Sequence, residues 1–203
     1  MAVLPIFLYG TKVLREEAKP VKELDDSIVK LTIDMFETMH KANGIGLAAN
    51  QVGVLKRVIV IDIADVDESP DEGEEGEGPE ENPRPRTSSD LPRTLTLINP
   101  EIVASESEWA IEEGCLSIPE LRGEVTRPET IVVRYRDANF KEREIRANGM
   151  LARVIQHEMD HLDGVLFIDH IGKTRRSLLS NSLRRIRNGD VETSYPAVTA
   201  EEE

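Results

Sequence analysis

Residues 149–162 read Gly-Met-Leu-Ala-Arg-Val-Ile-Gln-His-Glu-Met-Asp-His-Leu, and the rest of the predicted fold is arranged around this segment. The first half of the segment is apolar over a wide arc of a helix, formed by Met150, Leu151, Val154 and Ile155. Asn148-Gly149 can cap such a helix at its start, and Asp163-Gly164 can end it. The pattern therefore predicts a buried helix that ends at about Leu162.

A second helical pattern lies in the N-terminal part of the chain, over roughly 26–42. Asp25-Asp26-Ser27 offers helix caps, and Asn43-Gly44 supplies a stop because glycine adopts the backbone conformations that end helices. The apolar positions recur at helical spacing: Ile28, Leu31, Met35 and Met39. One face of this helix is therefore predicted to be buried.

Strands are predicted from β-branched and alternating segments elsewhere in the chain. Residues 57–63 form a β-branched run, and a strand pattern resumes at 94–99. Residues 131–136 and 142–146 flank a short turn sequence and suggest a hairpin. The order of helices and strands predicts an α+β fold with mostly antiparallel sheets packed around the buried central helix 149–162.

A C-terminal helix is predicted from Gly172 to about Asn188, within the segment 173–190. Its apolar stripe consists of Leu178, Leu179, Leu183 and Ile186. Its other face carries six cations and no acid: Lys173, Arg175, Arg176, Arg184, Arg185 and Arg187. The simplest interpretation is a solvated amphipathic helix that packs by its leucines, and the alternative is a face that contacts phosphate groups.

Charge is distributed unevenly along the 203 residues, whose formal net charge is −14. Residues 65–92 contain 11 acids and two bases, and residues 191–203 contain four acids and no base. The rest of the chain is nearly neutral. Because residues 65–92 contain almost no apolar side chains, they are predicted to form a disordered acidic insertion. Residues 191–203 are predicted to form a disordered acidic tail.

The single cysteine excludes an internal disulfide and, with it, an extracellular scaffold stapled by disulfides. The apolar run at 3–9 is too short to span a bilayer. No basic segment precedes it, as one would in a secretory signal. The sequence therefore predicts a cytoplasmic protein without a membrane segment.

His157-Glu158-Met159-Asp160-His161 is the sharpest chemical signal in the chain. Two histidines four positions apart on a helix project from one face and can share a metal ion. Glu158 lies about 100° round the helix from His157, near enough to reach a water on the metal without being a ligand. Burying two imidazoles and a carboxylate without partners is costly, so a metal site is favoured over two ordinary buried histidines.

A third protein ligand has to come from outside this motif. Position 167 is Phe, and no Glu lies between His161 and Glu192, so the third ligands of two metalloprotease classes are missing. The remaining candidates downstream are Asp163, Asp169 and His170.

Upstream, the sole thiol lies in Glu113-Gly114-Cys115-Leu116-Ser117. A lone cysteine is usually a small buried apolar residue. Combined with a helix that presents two histidines, however, Cys115 completes a His₂Cys site with an open position for water. Such a donor set suits Fe(II), Ni(II), Co(II) or Zn(II), and coordination alone does not choose between them.

A glycine-rich segment, 44–51, reads Gly-Ile-Gly-Leu-Ala-Ala-Asn-Gln. Its small residues leave the backbone exposed for close approach by an extended ligand, and Gln51 supplies a neutral amide donor. Taken alone, the segment is equally consistent with a plain loop between a helix and a strand.

These three segments resemble the signature motifs of the peptide deformylase family. Residues 44–51 match its glycine-rich motif, 113–117 its Glu-Gly-Cys-Leu-Ser motif and 157–161 its His-Glu-x-Asp-His motif. The motifs occur in the family's order, and the resemblance runs from about residue 4 to residue 186. It implies a catalytic domain over 1–172, a metal-dependent hydrolase that removes the formyl group from the N-terminal formyl-methionine of nascent polypeptides and releases formate.

The resemblance also implies a role for each motif residue. The metal ligands would be Cys115, His157 and His161, holding one divalent ion that is expected to be Fe(II) in the native protein. Glu158 would be the catalytic acid/base. Gln51 and the backbone N–H of Leu116 would stabilise the oxyanion.

The substrate peptide is expected to lie extended along residues 44–46, like an added strand. The expected contacts are the backbones of Ile45, Gly46 and Gly114 and the side chain of Arg122. Leu121 and Ile155 are candidates for the wall of a pocket that takes the methionine side chain.

Two rival functions can be drawn from the same residues. A zinc endopeptidase using the same helix would keep its metal when Cys115 is changed to Ser, and it would cut unformylated peptides internally. A structural metal module serving as an RNA-binding adaptor would need a fourth protein ligand, and the sequence offers no compelling one. For a deformylase, ribosomal RNA is the partner expected for the basic helix at 173–190, and the protein is expected to be a monomer.

Overall fold

The computed structural model describes residues 1–63 and 94–202. The acidic insertion at 65–92 lies outside the described residues, so its disorder stays a prediction. The helices are α1 (Asp26–Lys41), α2 (Gly149–Leu162), α3 (Phe167–His170), α4 (Lys173–Leu178) and α5 (Ser180–Arg187). The strands are β1 (Ile6–Phe7), β2 (Gly46–Ala48), β3 (Val58–Asp62), β4 (Thr94–Glu106), β5 (Trp109–Cys115), β6 (Ile118–Arg127), β7 (Thr130–Arg136), β8 (Glu142–Asn148) and β9 (Ala197–Val198).

The strands form three sheets within the described residues. Five strands pair antiparallel in the order β2-β3-β4-β7-β8, and β5 and β6 form a separate antiparallel hairpin. The short strands β1 and β9 pair in parallel. The predicted α+β fold with mostly antiparallel sheets is therefore confirmed.

Strand β3 explains why residues 57–63 are a continuous β-branched run. Ile59 and Ile61 pack with side chains of α2, whereas Val58 and Val60 pack with side chains of α1. All four are fully buried. A strand that is covered on both faces has no side exposed to solvent, so apolar and polar residues do not alternate along its sequence.

Helix α1 agrees closely with its prediction. The Asp25 carboxylate accepts a hydrogen bond from the Ile28 backbone N–H at 2.9 Å, which satisfies one of the free N–H groups of the first turn. Met35 and Met39 are fully buried. Asn43, just beyond the helix, has a φ of 54°, so the chain leaves the helix through the left-handed region.

Helix α2 spans the predicted residues and packs against β2, β3, β7 and β8. Ten of its 14 residues are buried, on every side of the helix. The chain leaves the helix through Gly164, whose φ is 70° and where a Cβ would lie 2.7 Å from the carbonyl oxygen of Arg15. Only glycine fits at this stop. Among the described residues, no helix combines the length and apolar character needed to cross a membrane.

The predicted strands are present, β4 is much longer than predicted, and a further hairpin was missed. The hairpin of β7 and β8 is confirmed, with Val133 opposite Ile145. Strand β4 runs seven residues beyond the predicted 94–99, because its second half is exposed and lacks the buried alternation used for prediction. The hairpin of β5 and β6 has charged residues on its open face, and its sequence pattern did not indicate strands.

The single C-terminal helix predicted at 173–190 is wrong, because the segment forms two short helices joined at Leu179. Ser180-Asn181-Ser182 follows the junction, and these residue types favour helix ends over helix interiors. Leu183 and Ile186 are buried as predicted, whereas the Leu178 residue is 80% exposed. Leu178 lies about 100° round the helix from Leu179, away from the face that Leu183 and Ile186 bury.

The cationic face of this segment also has acidic neighbours that the linear sequence does not reveal. Arg176 pairs with Asp169 at 3.1 Å. Arg175 lies 3.7 Å from carboxylates of Glu112 and Glu124 on the β5–β6 hairpin. Two of the six cations are therefore partly neutralised by other elements.

The prediction of a disordered tail at 191–203 is wrong for residues 191–202, which fold back onto the N-terminal strand. The Ile6 N–H donates to the Pro196 carbonyl and the Leu8 N–H to the Val198 carbonyl, each at 2.9 Å. Tyr195 packs against the apolar cluster beneath α1. The acidic composition of the segment led to the prediction of disorder. Its few apolar residues are nevertheless enough to hold it against β1 and the apolar cluster.

Candidate metal centre and cleft

Two elements that are distant in sequence bring three ligand atoms together. Cys115 is the last residue of β5, and His157 and His161 lie on consecutive turns of α2. One nitrogen or sulfur atom from each side chain lies within 4.8 Å of the others. The Cys115 Sγ atom is 3.1 Å from Nε2 of His161. These separations allow one ion to contact all three atoms.

The other polar atoms of the site fit a divalent metal ion. His157 Nδ1 lies 2.9 Å from a carboxylate oxygen of Glu113, which leaves Nε2 of the ring to face the cysteine. His161 Nδ1 and Glu158 Oε2 are buried without a hydrogen-bond partner among the described residues. Buried polar atoms are rarely left unpaired, so the unpaired Glu158 oxygen beside a thiol favours a site completed by an ion and its water. The unpaired Nδ1 of His161 is the ring nitrogen that does not face the sulfur. The His₂Cys donor set is that of an open metal site.

The alternative third ligands lie elsewhere. Each contacts another side chain instead: Asp163 contacts Arg57, Asp169 contacts Arg15, and His170 contacts Asp160. Within the described residues, Cys115 is the only side chain that joins the two histidines in a group of three potential ligands.

Glu113 is the centre of a buried ionic network that sequence reasoning missed. Arg127 donates two hydrogen bonds to its carboxylate, at 2.6 and 3.0 Å, and Arg153 donates a third at 2.9 Å. Burial raises the pKa of Glu113, but hydrogen bonds from His157 and Arg127 lower it more, to well below the usual range. Glu113 therefore stays ionised and fixes the orientation of the His157 ring. The only sign of a functional role for Glu113 in the sequence was its position in the 113–117 motif.

Glu158 is 4% exposed and faces the glycine-rich segment. A Cβ on Gly46 would lie 2.6 Å from Oε1 of Glu158 and 2.7 Å from Val154. The glycine thus leaves the space that the carboxylate occupies. Burial raises the pKa of Glu158 to about 7. A carboxyl group with this pKa can both accept and return a proton near neutral pH.

Gln51 reaches the site from a short 3₁₀ turn, Ala49–Val52. Its Oε1 accepts a hydrogen bond from the Ala48 N–H at 2.8 Å. Its Nε2 donates to Ser117 Oγ at 3.2 Å and lies 3.7 Å from Cys115 Sγ. The amide is therefore held with its N–H groups on the same side as the sulfur. Leu116 and Ser117 form the two-residue turn between β5 and β6.

A cleft of about 510 Å³ opens beside these groups. Nine of the ten sequence-predicted site residues line it: Ile45, Gly46, Gln51, Gly114, Cys115, Leu116, Arg122, His157 and Glu158. His161 is 1% exposed and does not line the cleft.

The two candidates for the methionine pocket differ. Leu121 lines the cleft, as does Val154, which the prediction did not include. The expectation for Ile155 is wrong, because this residue is fully buried in the apolar cluster between α2 and the five-stranded sheet. One helical position separates Ile155 from Val154, and a rotation of about 100° turns it away from the cleft.

The chain is similar to one known protein family over most of its length. The sequence profile of the family described as "Polypeptide deformylase" matches residues 3–177. The peptide deformylase of Salinibacter ruber is 48% identical over 203 residues, covering 99% of this chain and 97% of the relative. That of Chlorobaculum parvum is 43% identical and covers 96% of this chain and 93% of the relative.

Solved structures give the same result. The crystal structure of peptide deformylase from Ehrlichia chaffeensis is 36% identical with a TM-score of 0.75, covering 93% of this chain and 99% of that one. The enzyme from Synechococcus elongatus in complex with actinonin is 36% identical with a TM-score of 0.73, covering 98% and 92%. Similarity of this extent, with relatives of nearly the same length, shows that the chain belongs to the peptide deformylase family.

Proposed function

We propose that this chain removes the formyl group from N-formylmethionyl nascent polypeptides by metal-dependent hydrolysis and releases formate. The observation that carries the proposal is the meeting of Cys115, His157 and His161 beside the buried carboxylate of Glu158. These groups lie against a cleft that is walled on one side by the glycine-rich segment 44–46.

Cys115, His157 and His161 would hold the metal, with Fe(II) as the native ion and Ni(II), Co(II) or Zn(II) as the alternatives that the same ligands suit. When bound, such an ion lowers the pKa of water from about 15.7 towards 7 and polarises a carbonyl oxygen. Helix α2 then serves as the central scaffold of the domain, because it carries two ligands and the acid/base on buried faces.

Glu158 acts as general base and then as general acid. Its carboxylate accepts a proton from the attacking water, whose oxygen bonds to the formyl carbon. Glu158 then returns the proton to the amide nitrogen, so that the C–N bond breaks and formate leaves. A pKa raised to about 7 by burial suits both transfers.

Gln51 and the Leu116 N–H stabilise the negative charge that develops on the formyl oxygen. Gln51 Nε2 is already oriented by bonds at both ends of its amide. Donors that are fixed before the reaction stabilise a transition state without reorganising.

The substrate backbone would add to the sheet at β2. Among the described residues this strand pairs with β3 alone, so its other edge can pair with an extended peptide. Ile45 and Gly46 would contact the peptide on this side, and Gly114 and the Arg122 side chain would contact it from the β5–β6 hairpin. Leu121 would contact the methionine side chain.

The test is release of formate from formyl-Met-Ala-Ser, with and without a chelator. Glu158→Ala should keep its metal and lose activity. The control Glu142→Ala, at an exposed position of β8 that does not line the cleft, should behave as the parent. A Glu158→Ala enzyme that works at near the parental rate would remove the acid/base role. A Cys115→Ser variant that keeps its metal and cuts unformylated peptides internally would favour the endopeptidase.

We also propose that the basic segment 173–190 contacts ribosomal RNA. Four of its cations line one side of a second cleft of about 510 Å³: Lys173, Arg176, Arg184 and Arg187. Changing Lys173 and Arg184 together to Ala should weaken binding to ribosomes. The slope of the logarithm of the binding constant against the logarithm of the salt concentration should also become less steep by about two. The control is the same change at Lys22 and Lys141. Association that does not depend on salt would contradict the contact.

The remaining proposals concern organisation. The catalytic domain would extend over 1–172, followed by the basic segment. Because the substrates are nascent chains, we expect the protein to be cytoplasmic. We also expect it to be a monomer. Sedimentation velocity of the purified protein tests the oligomeric state.

A further inference from the structure

The C-terminal segment beyond α5 reaches the turn that follows the cysteine ligand. The hydroxyl of Tyr195 donates a hydrogen bond to the carbonyl oxygen of Leu116 at 2.6 Å, across 79 positions of the chain. Burial raises the pKa of Tyr195 to about 12, so the hydroxyl carries its proton. The residues matched by the family profile end at 177, well before this tyrosine.

A second hydrogen bond holds the carbonyl group of the next residue, Ser117. The Tyr9 backbone N–H donates to the Ser117 carbonyl at 2.8 Å. Tyr9 follows β1, and β1 is the strand that pairs with β9 of the C-terminal segment. Two successive carbonyls after Cys115 are therefore held from outside the hairpin, one by a side chain and one by the backbone.

These contacts restrict the Leu116 N–H from one side. Cys115 precedes this amide and would be fixed by the metal, and the Leu116 carbonyl follows it and is fixed by Tyr195. With the Cys115 side chain held by the metal and the Leu116 carbonyl held by Tyr195, the backbone dihedral angles of Leu116 would have little freedom. Because the 116–117 turn is only two residues long, the direction of the N–H depends on both ends of the turn.

We propose that Tyr195 is a positioning residue for the deformylation reaction: by holding the Leu116 carbonyl, it aims the Leu116 N–H at the formyl oxygen. This inference rests on the proposed function, in which that N–H is an oxyanion donor. The Tyr195 hydroxyl bonds to the Leu116 carbonyl. Tyr195 therefore acts through Leu116 and not by contact with the substrate or with the metal ligands. The competing interpretation is that Tyr195 only fastens the C-terminal segment.

The test compares Tyr195→Phe with Tyr9→Phe in the full-length, Ni(II)-loaded enzyme. Both variants lose one hydroxyl, and among the described residues the Tyr9 hydroxyl makes no hydrogen bond. We expect Tyr195→Phe to lower kcat about 10-fold, less than the 10²–10³-fold cost of removing an oxyanion donor outright. The KM for formyl-Met-Ala-Ser and the bound nickel should stay within twofold of the parent. Tyr9→Phe should match the parent throughout.

A second readout does not depend on activity. In protein labelled with ¹⁵N-leucine and loaded with Zn(II), the Leu116 amide resonance should move in Tyr195→Phe and stay in place in Tyr9→Phe. An unchanged resonance, an unchanged kcat, or a rise in KM at constant kcat would each overturn the proposal. If the parent enzyme released no formate, the proposed function would fail instead, and the resonance would still report whether Tyr195 sets the conformation of Leu116.

Discussion

The Nδ1 atom of His157 lies 2.9 Å from a Glu113 carboxylate that Arg127 and Arg153 hold in its ionised form. A histidine that donates from Nδ1 to a carboxylate presents Nε2 as a lone pair, which is the form that binds a metal. The ionic network therefore supports the candidate metal centre through the ring of His157. It also ties β5 and β6 to α2.

Replacing Glu113 with Gln should weaken both the fold and the metal site. The change leaves Arg127 and Arg153 as buried charges with less compensation, which should cost about 3 kcal/mol in the free energy of unfolding. Loss of the carboxylate partner of His157 should reduce metal affinity by about 10–100-fold. Urea unfolding and competition with a chelator measure the two effects.

The control for this variant is Glu112→Gln, the neighbouring residue on β5. The Glu112 side chain is 61% exposed and lies 3.7 Å from Arg175, so its removal should change stability by less than about 0.5 kcal/mol. Equal effects of the two substitutions would show that the buried network does not support the metal.

A methyl group at position 46 should disable the enzyme without unfolding it. In Gly46→Ala the added Cβ would lie 2.6 Å from Glu158 Oε1 and 2.7 Å from Val154, so the carboxylate would have to move. We expect an overpacking cost of about 1–3 kcal/mol and a large loss of formate release. Gly172→Ala is the matched control, since a Cβ there meets no atom within 4 Å. Full activity of Gly46→Ala would mean that the position of Glu158 is not critical.

Two substitutions of Gln51 separate its donor role from its acceptor role. Gln51→Ala removes both, so kcat should fall about 10²–10³-fold and the buried Ala48 N–H should lose its partner, at a cost of about 1–3 kcal/mol. Gln51→Glu keeps an acceptor for Ala48 but no donor for the oxyanion. It should lose a similar factor in kcat, and the carboxylate buried beside the Cys115 sulfur should also lower the free energy of unfolding. Comparable kcat in Gln51→Glu and the parent would exclude an oxyanion role for this side chain.

Oxygen sensitivity should depend on the metal that the centre holds. A thiolate ligand and a redox-active ion are both open to oxidation. The Fe(II) form should lose activity in air, whereas the Zn(II) and Ni(II) forms should not, and anaerobic metal analysis should identify the native ion. Loss of activity at equal rates in all three forms would place the damage on Cys115 rather than on iron.

The sequence predicted best those elements whose local pattern agrees with their tertiary setting. Helix α1 has a capping Asp25 and a buried stripe, and α2 has an apolar first half and the Asp163-Gly164 stop, so both could be placed within a residue or two. The hairpin that carries Cys115 was missed because one of its faces is charged. Its cysteine was connected to the two histidines by ligand chemistry and by the family's motifs, without any prediction of the hairpin.

Long-range contacts account for what the sequence did not predict. Arg127 and Arg153 look like ordinary surface cations until β6 and α2 enclose Glu113. Tyr195 lies in an acidic segment that composition alone marks as disordered, and only its bond to Leu116 reveals a role. Partners separated by 14 to 79 positions leave no periodic signal in a single chain.

Asp169, a ligand candidate on sequence grounds, should instead contribute stability that depends on pH. Burial raises the pKa of its carboxyl, but hydrogen bonds from Arg15 and from the Leu166 N–H lower it more, to below its ordinary value of 3.8. A carboxyl group whose pKa is depressed by folding stabilises the protein above the unfolded pKa, and this contribution is lost as the pH falls through the folded pKa. Asp169→Asn should therefore cost about 1 kcal/mol at pH 7. The gap between parent and variant should narrow below about pH 4, as measured by urea unfolding across pH. A gap that stays constant down to about pH 3 would show that the ionised carboxylate contributes nothing, whereas loss of bound metal in Asp169→Asn at neutral pH would return this residue to the metal centre.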